Sequence, residues 1–196
     1  MHFTLADLVT DITQNAAESG ASWVDLEIRE AENGVNGNAE FRFTVKDNGK
    51  GMTKDELERI QDPFVTDGIK HPHRKVGLGV PFLIQTAEAS GGGWKMASVK
   101  AGGADGGTTV SAWFDLTNVD TPPVGDVSGM FRTVMLFEGP GEIVIRRYNG
   151  LDGKDVSYEA RKSELAEVLG SFEDAESLIL LDRYLRSLEE DEEDYL

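Results

Sequence analysis

The chain contains no cysteine among its 196 residues, which excludes disulfides and thiolate metal sites and fits a reducing compartment. No apolar run approaches the roughly 20 residues that span a bilayer. The first residues also lack the basic and apolar regions of a signal peptide. The expectation is a cytoplasmic protein with no membrane partner. Positive charge is sparse: 19 Lys and Arg stand against 36 Asp and Glu, a formal net charge of −17. Such a surface repels polyphosphate backbones, so no nucleic-acid partner is expected. The only dense cationic stretch, Lys70-His71-Pro72-His73-Arg74-Lys75, is too short to hold a duplex but can meet one triphosphate. Two of the three histidines lie in it, and they read as solvated loop residues rather than metal ligands.

What is present is ordinary for a globular protein: 39% apolar and 28% charged residues. The length suits one core, or one domain with a small appendage. Thr4 and Asp7 form a capping box ahead of Leu5, Leu8, Val9, Ile12 and Ala16, an apolar stripe at helical spacing that Gly20 closes. Residues 22–30 alternate as a strand, with Val24, Leu26 and Ile28 on one face. A turn-rich stretch, 32–38, returns the chain into a second strand through Phe41, Phe43 and Val45, ending at Asp47. Thr53 and Glu56 cap a short helix with Leu57 and Ile60 facing inward. The aperiodic stretch 62–76 reads as a mobile connection. A helix over 80–89 and strands over 94–100 and 108–116 follow.

The segment 120–125, Asp-Thr-Pro-Pro-Val-Gly, reads as a joint between a first domain, 1–119, and an extension, 120–196. In that extension, 130–137 and 142–148 are expected to form a hairpin around Gly139-Pro140-Gly141. Two helices, 158–169 and 172–188, then complete a small ββαα unit. The acidic tail 189–196 is expected to be disordered. The fold class is α+β: a two-layer sandwich whose mixed, mostly antiparallel sheet is covered on one face by helices.

Four short patterns carry chemistry. Asp11 and Asn15 are four apart on the first helix, so they project within roughly 40° of each other. A carboxamide there can ligate Mg²⁺ and a carboxylate can orient or deprotonate water; an ordinary polar flank would have the same spacing. Asp47-Asn48-Gly49-Lys50-Gly51-Met52 follows a strand directly. A carboxylate fixed there can accept from an exocyclic amine, while the glycines let backbone approach closely; a plain turn has the same composition. Gly77-Leu78-Gly79 precedes Val80 at a helix start, where exposed N–H groups favour anions. Lys70, Arg74 and Lys75 stand ready as closing cations. Thr108, within Gly107-Thr108-Thr109-Val110, opens the last strand of the first domain and can bond a base or a water shared with Asp47.

Taken in order, these patterns resemble the GHKL superfamily of type II topoisomerases, heat-shock chaperone ATPases, histidine kinases and mismatch-repair ATPases, over roughly residues 1–116. The resemblance implies the Bergerat fold and an ATP site using Mg²⁺. Asn15 takes the place of the metal-binding asparagine, and Asp11 that of the acidic general base, usually a glutamate. Asp47, Gly49 and Gly51, with Met52 following, match the adenine-reading box. Phe64, in Asp62-Pro63-Phe64-Val65-Thr66, resembles the phenylalanine box before the ATP lid of histidine kinases. Gly77 and Gly79, with Leu78 and Val80, match the lid-end box, and Thr108 the last one.

The residues after Asn15, Glu18 and then Ser19-Gly20-Ala21, resemble the mismatch-repair and topoisomerase branch, whereas the short lid resembles the kinase branch. No phosphoacceptor histidine helix pair precedes the first box. The expectation is therefore a free-standing, histidine-kinase-like ATP-binding protein. It would transfer phosphate to, or regulate, a partner protein docked on the C-terminal extension. The alternatives are a non-catalytic ATP-responsive module and a slow ATPase of the mismatch-repair or topoisomerase type.

Overall fold

The computed structural model describes residues 3–34, 37–61, 79–100 and 106–189. Helix α1, Leu5–Ala17, begins where the capping box places it: the Thr4 hydroxyl accepts from the Asp7 N–H, and the Asp7 carboxylate accepts from the Thr4 N–H. Its apolar stripe is wholly buried, with Leu5, Leu8 and Val9 at 0% exposure. Each such side chain contributes about 1.5–3 kcal/mol by leaving water. Gly20, at φ +81°, lets the chain leave the helix and enter the sheet.

Six strands form one sheet in the order β3-β4-β2-β1-β5-β6 among the described residues. They are β1, Trp23–Ala31; β2, Glu40–Asp47; β3, Gly93–Val99; β4, Gly107–Asp115; β5, Glu142–Gly150; and β6, Val156–Arg161. Every pairing is antiparallel except β1 with β5. Phe41, Phe43 and Val45 lie on the covered face with Val24, Leu26, Ile28, Ala112 and Phe114, all buried. Phe43 stacks on Phe114 at 6.3 Å between ring centroids. The other face is polar, carrying cation–ring pairs such as Arg42 over Trp113 and Lys46 over Trp23. The architecture is the expected α+β sandwich.

Against the covered face lie α1, α3 (Gly79–Ala89) and α4 (Val127–Met135), while α2 (Lys54–Gln61) leans on α3 and β3. Leu57 and Ile60 do face inward, though both remain half-buried. Helices α5 (Lys162–Leu169) and α6 (Ala175–Ser187) close the far end, α6 packing on α4.

The C-terminal third departs from expectation in three places. Residues 130–135, expected as a strand, are helix, and the hairpin expected between 130–137 and 142–148 is absent. Met130, Phe131, Val134 and Met135 are the buried positions, a spacing of one and four that only a helix presents to one side. The Asp126 carboxylate caps that helix at the Gly129 N–H, 2.9 Å away. The hairpin is instead β5 with β6, so residues 158–161 are strand and helix α5 starts only at Lys162.

Glu189, expected in a disordered tail, accepts hydrogen bonds from Arg147 and from the Tyr158 hydroxyl. Residues 190–196 lie outside the described part. The proline-rich joint is also tied down: the carbonyls of Pro123 and Val124 each accept, at 2.9 Å, from the Leu5 and Ala6 N–H groups that open α1. Parallel pairing of β5 with β1 makes the extension continue the first sheet.

Candidate functional site

The site is built where β2 ends. Alternation along β2 turns Asp47 to the covered face, the same side as Val45 and Phe43, so a carboxylate sits at the margin of the core with 6% exposure. Its Oδ1 accepts from the Gly49 N–H at 2.8 Å and from the Ser19 hydroxyl at 3.2 Å. Burial pushes the Asp47 carboxyl above its ordinary range, and the donors from Gly49, Ser19 and the Thr108 backbone oppose that rise. A carboxylate in this position is held in one orientation by the protein's own N–H and O–H groups.

The two glycines of the motif are there because nothing larger fits. A Cβ on Gly49 would lie 1.8 Å from the Ser19 hydroxyl oxygen. A Cβ on Gly51, whose φ is +58°, would lie 1.8 Å from the Val99 carbonyl oxygen. The motif loop is thus pressed between the end of α1 and the edge strand β3. Asn48, between Asp47 and Gly49 in sequence, takes no place in the site. Its side-chain oxygen accepts from the Ser22 and Trp23 N–H groups, fixing the loop to the start of β1.

Thr108 stands directly opposite Asp47 in the β2–β4 register. Its hydroxyl lies 2.9 Å from the Ser98 hydroxyl of β3, and the same Ser98 oxygen accepts from the Met52 N–H at 2.8 Å. Met52 and Thr108, two expected site residues far apart in sequence, are therefore linked through one side chain. On α1, Asp11 and Asn15 are exposed one turn apart. Gly79, the first residue of α3, faces both: a Cβ there would lie 3.6 Å from the Asn15 Nδ2 and 4.0 Å from the Asp11 Cβ. Val80 follows, half-buried. Gly79, Asn15 and Asp11 thus share one corner.

Phe64, Lys70, Arg74, Lys75, Gly77 and Leu78, with His71 and His73, lie outside the described residues. Among the described residues no three His, Asp or Glu side chains cluster as a metal site. Mg²⁺ requires no such cage: it is commonly held by one or two protein oxygens with phosphate and water completing the octahedron. The exposed Asn15 carboxamide beside Asp11 fits that sparse requirement.

Sequence reasoning missed Ser19 and Ser98. The second left a legible signal: Ser98 falls in phase with Trp94 and Met96 on the covered face of β3, and a hydroxyl there needs partners. Ser19 lies beyond the end of α1, where helical phase does not place it.

The family model for histidine kinase-, DNA gyrase B-, and HSP90-like ATPases matches residues 2–118. The chain belongs to this ATPase family. Membership accounts for an ATP-binding domain over α1 to β4, in which Asp47, Gly49, Gly51 and Thr108 occupy one end of the sheet. The matched span leaves α4 to α6 and strands β5 and β6 outside it. A search of curated proteins gave no match. Among the described residues no helix is long and apolar enough to cross a membrane.

Proposed function

We propose that the chain binds ATP with Mg²⁺ and uses it to phosphorylate a partner protein, in the manner of a histidine-kinase-like domain. The observation that carries the nucleotide part is the buried, pre-oriented Asp47 carboxylate beside Thr108 and two close-packed glycines. An anionic acceptor there suits the exocyclic amino group of adenine. Asn15 would hold the metal, which when bound supplies charge neutralisation on the phosphates. Asp11, one turn away, would orient a hydroxyl or water and receive its proton.

A second reading has its own support. Aspartate at position 11 is one methylene shorter than the glutamate usual in the family, which favours an ATP-responsive module with little turnover. The β5–β6 hairpin with α5 and α6, outside the family match, is the surface we assign to the partner.

Incubation with γ-labelled ATP, alone and with cell extract, separates the readings. Label on an extract protein supports the kinase, free phosphate alone an ATPase, and binding without either the module. Asn15→Ala is expected to abolish Mg²⁺ dependence of binding. Asp11→Ala is expected to spare binding and remove turnover; retained turnover would overturn its assigned role.

A further inference from the structure

Ser98 is outside every motif that brought the site to light, yet three backbone or side-chain groups of the site converge on its one hydroxyl. The Met52 N–H lies 2.8 Å from Ser98 Oγ, the Gly107 carbonyl oxygen 3.1 Å, and the Thr108 Oγ1 2.9 Å. A hydroxyl has one hydrogen to give and two lone pairs to receive. Two of the three neighbours have no choice of role: an N–H only donates and a carbonyl only accepts. The Ser98 hydrogen therefore goes to Gly107, and one lone pair receives the Met52 N–H. The other lone pair receives the hydrogen of Thr108. No other assignment satisfies all three contacts.

Thr108 is left with no hydrogen to offer, so its oxygen presents lone pairs alone. It stands opposite Asp47 in the register, and the ionised Asp47 carboxylate also presents only lone pairs. Two acceptors on neighbouring strands suit an amino group, directly or through a water, and repel a carbonyl oxygen in the same place. We infer that Ser98 is a positioning residue for base selectivity: by consuming the Thr108 hydrogen it makes the pocket select a 6-amino over a 6-oxo purine. The inference rests on the ATP site proposed above, since it requires the purine edge to meet Asp47 and Thr108. It adds a residue and a mechanism that the Asp47 carboxylate does not supply, because Asp47 cannot fix the polarity of Thr108.

The test measures binding of ATP and of inosine triphosphate, its 6-oxo counterpart, by titration calorimetry to wild type, Ser98→Ala, Ser98→Thr and Thr108→Val. Ser98→Ala frees the Thr108 hydrogen, so the preference for ATP is expected to fall about tenfold, the order of one hydrogen bond. Ser98→Thr keeps the hydroxyl and is expected to restore the preference. A purely structural role would weaken both nucleotides together and leave their ratio unchanged, which would overturn the inference. Should Ser98→Ala not fold, Thr108→Val decides: loss of an acceptor lowers the preference for ATP, whereas loss of a donor would raise it and overturn the inference. If wild type bound neither nucleotide, the ATP site itself would be refuted. An unchanged ratio beside normal ATP binding refutes only the role of Ser98.

Discussion

At the scale of single residues, Asp47 shows how the site's chemistry depends on where a charge is held. Burial raises its pKa and three protein donors restrain the rise. The sign for binding follows directly. Only the ionised form accepts from an amino group with full strength, so ATP affinity is expected to fall as pH drops through the raised value. The sign for stability is opposite: the folded protein holds this proton more tightly than the unfolded chain, so the Asp47 contribution becomes more favourable as pH falls through the same range. Calorimetric titration with ATP from pH 8 downward, beside denaturant melts of the same samples, checks both directions. Asp47→Ala removes a hydrogen bond to a charged group, about 1.5–3 kcal/mol, and is expected to weaken ATP binding about 10- to 150-fold. Affinity within twofold of wild type would remove Asp47 from the site.

Among the elements, α2 and α4 are the informative pair. Helix α2 buries no residue completely and depends on its start. The Glu56 carboxylate accepts from the Thr53 N–H at 2.7 Å and from Lys100 of the segment after β3 at 2.9 Å. These hold its pKa down to about 2. A depressed carboxylate contributes stability above its ordinary pKa and loses it as pH falls toward the depressed one. Amide exchange across α2 is therefore expected to quicken, relative to α1, as pH falls from about 5 to about 2 once the intrinsic pH dependence is removed. Glu56→Gln should abolish that extra acceleration.

Helix α4 gives a sharper test of secondary structure. A strand would put Thr133 and Met135 on the same face, whereas the helix exposes the first and buries the second. Met135→Ala is expected to cost about 2–5 kcal/mol in denaturant unfolding. Thr133→Ala should stay within about 0.5 kcal/mol. Equal costs at the two positions would contradict the helix.

At the scale of the whole molecule, Arg147 joins the C-terminal region to the ATP-binding domain. It is 1% exposed on β5, its guanidinium 2.6 Å from Glu30 of β1 and 3.0 Å from Glu189 beyond α6. Tyr158 of β6 donates to the same Glu189, and burial first, then that carboxylate, pushes its hydroxyl pKa upward. Replacing Arg147 by Ala leaves Glu30 buried without its partner. A loss of about 3–5 kcal/mol is expected by denaturant unfolding, with β5, β6 and α6 exchanging amides first. Arg147→Met, which refills part of the volume, leaves the same carboxylates unpaired and should rescue little.

How much of this was legible beforehand follows from the range of the interactions involved. Helix α1, its capping box, strands β1 to β4 and α3 are written in local periodicity and capping, and their bounds lie within a residue or two of those read from the sequence. That Asp47 ends β2, that Thr108 stands at the start of β4 and that Gly49 and Gly51 lie in a tight turn after Asp47 was legible too, because strand ends and glycine-rich turns are marked locally. Residues 130–137 were not. Met, Phe and Val suit strands and helices alike, and a following Gly-Pro-Gly resembles a hairpin turn. Burial against α1 and α6 settled the matter in favour of a helix. The parallel pairing of β5 with β1, the seating of Glu189 on Arg147, and the meeting of Ser98 with Met52 and Thr108 join residues distant in sequence. Periodicity and capping act within one or two turns of chain, so they chose the elements; only packing in three dimensions could choose these partners.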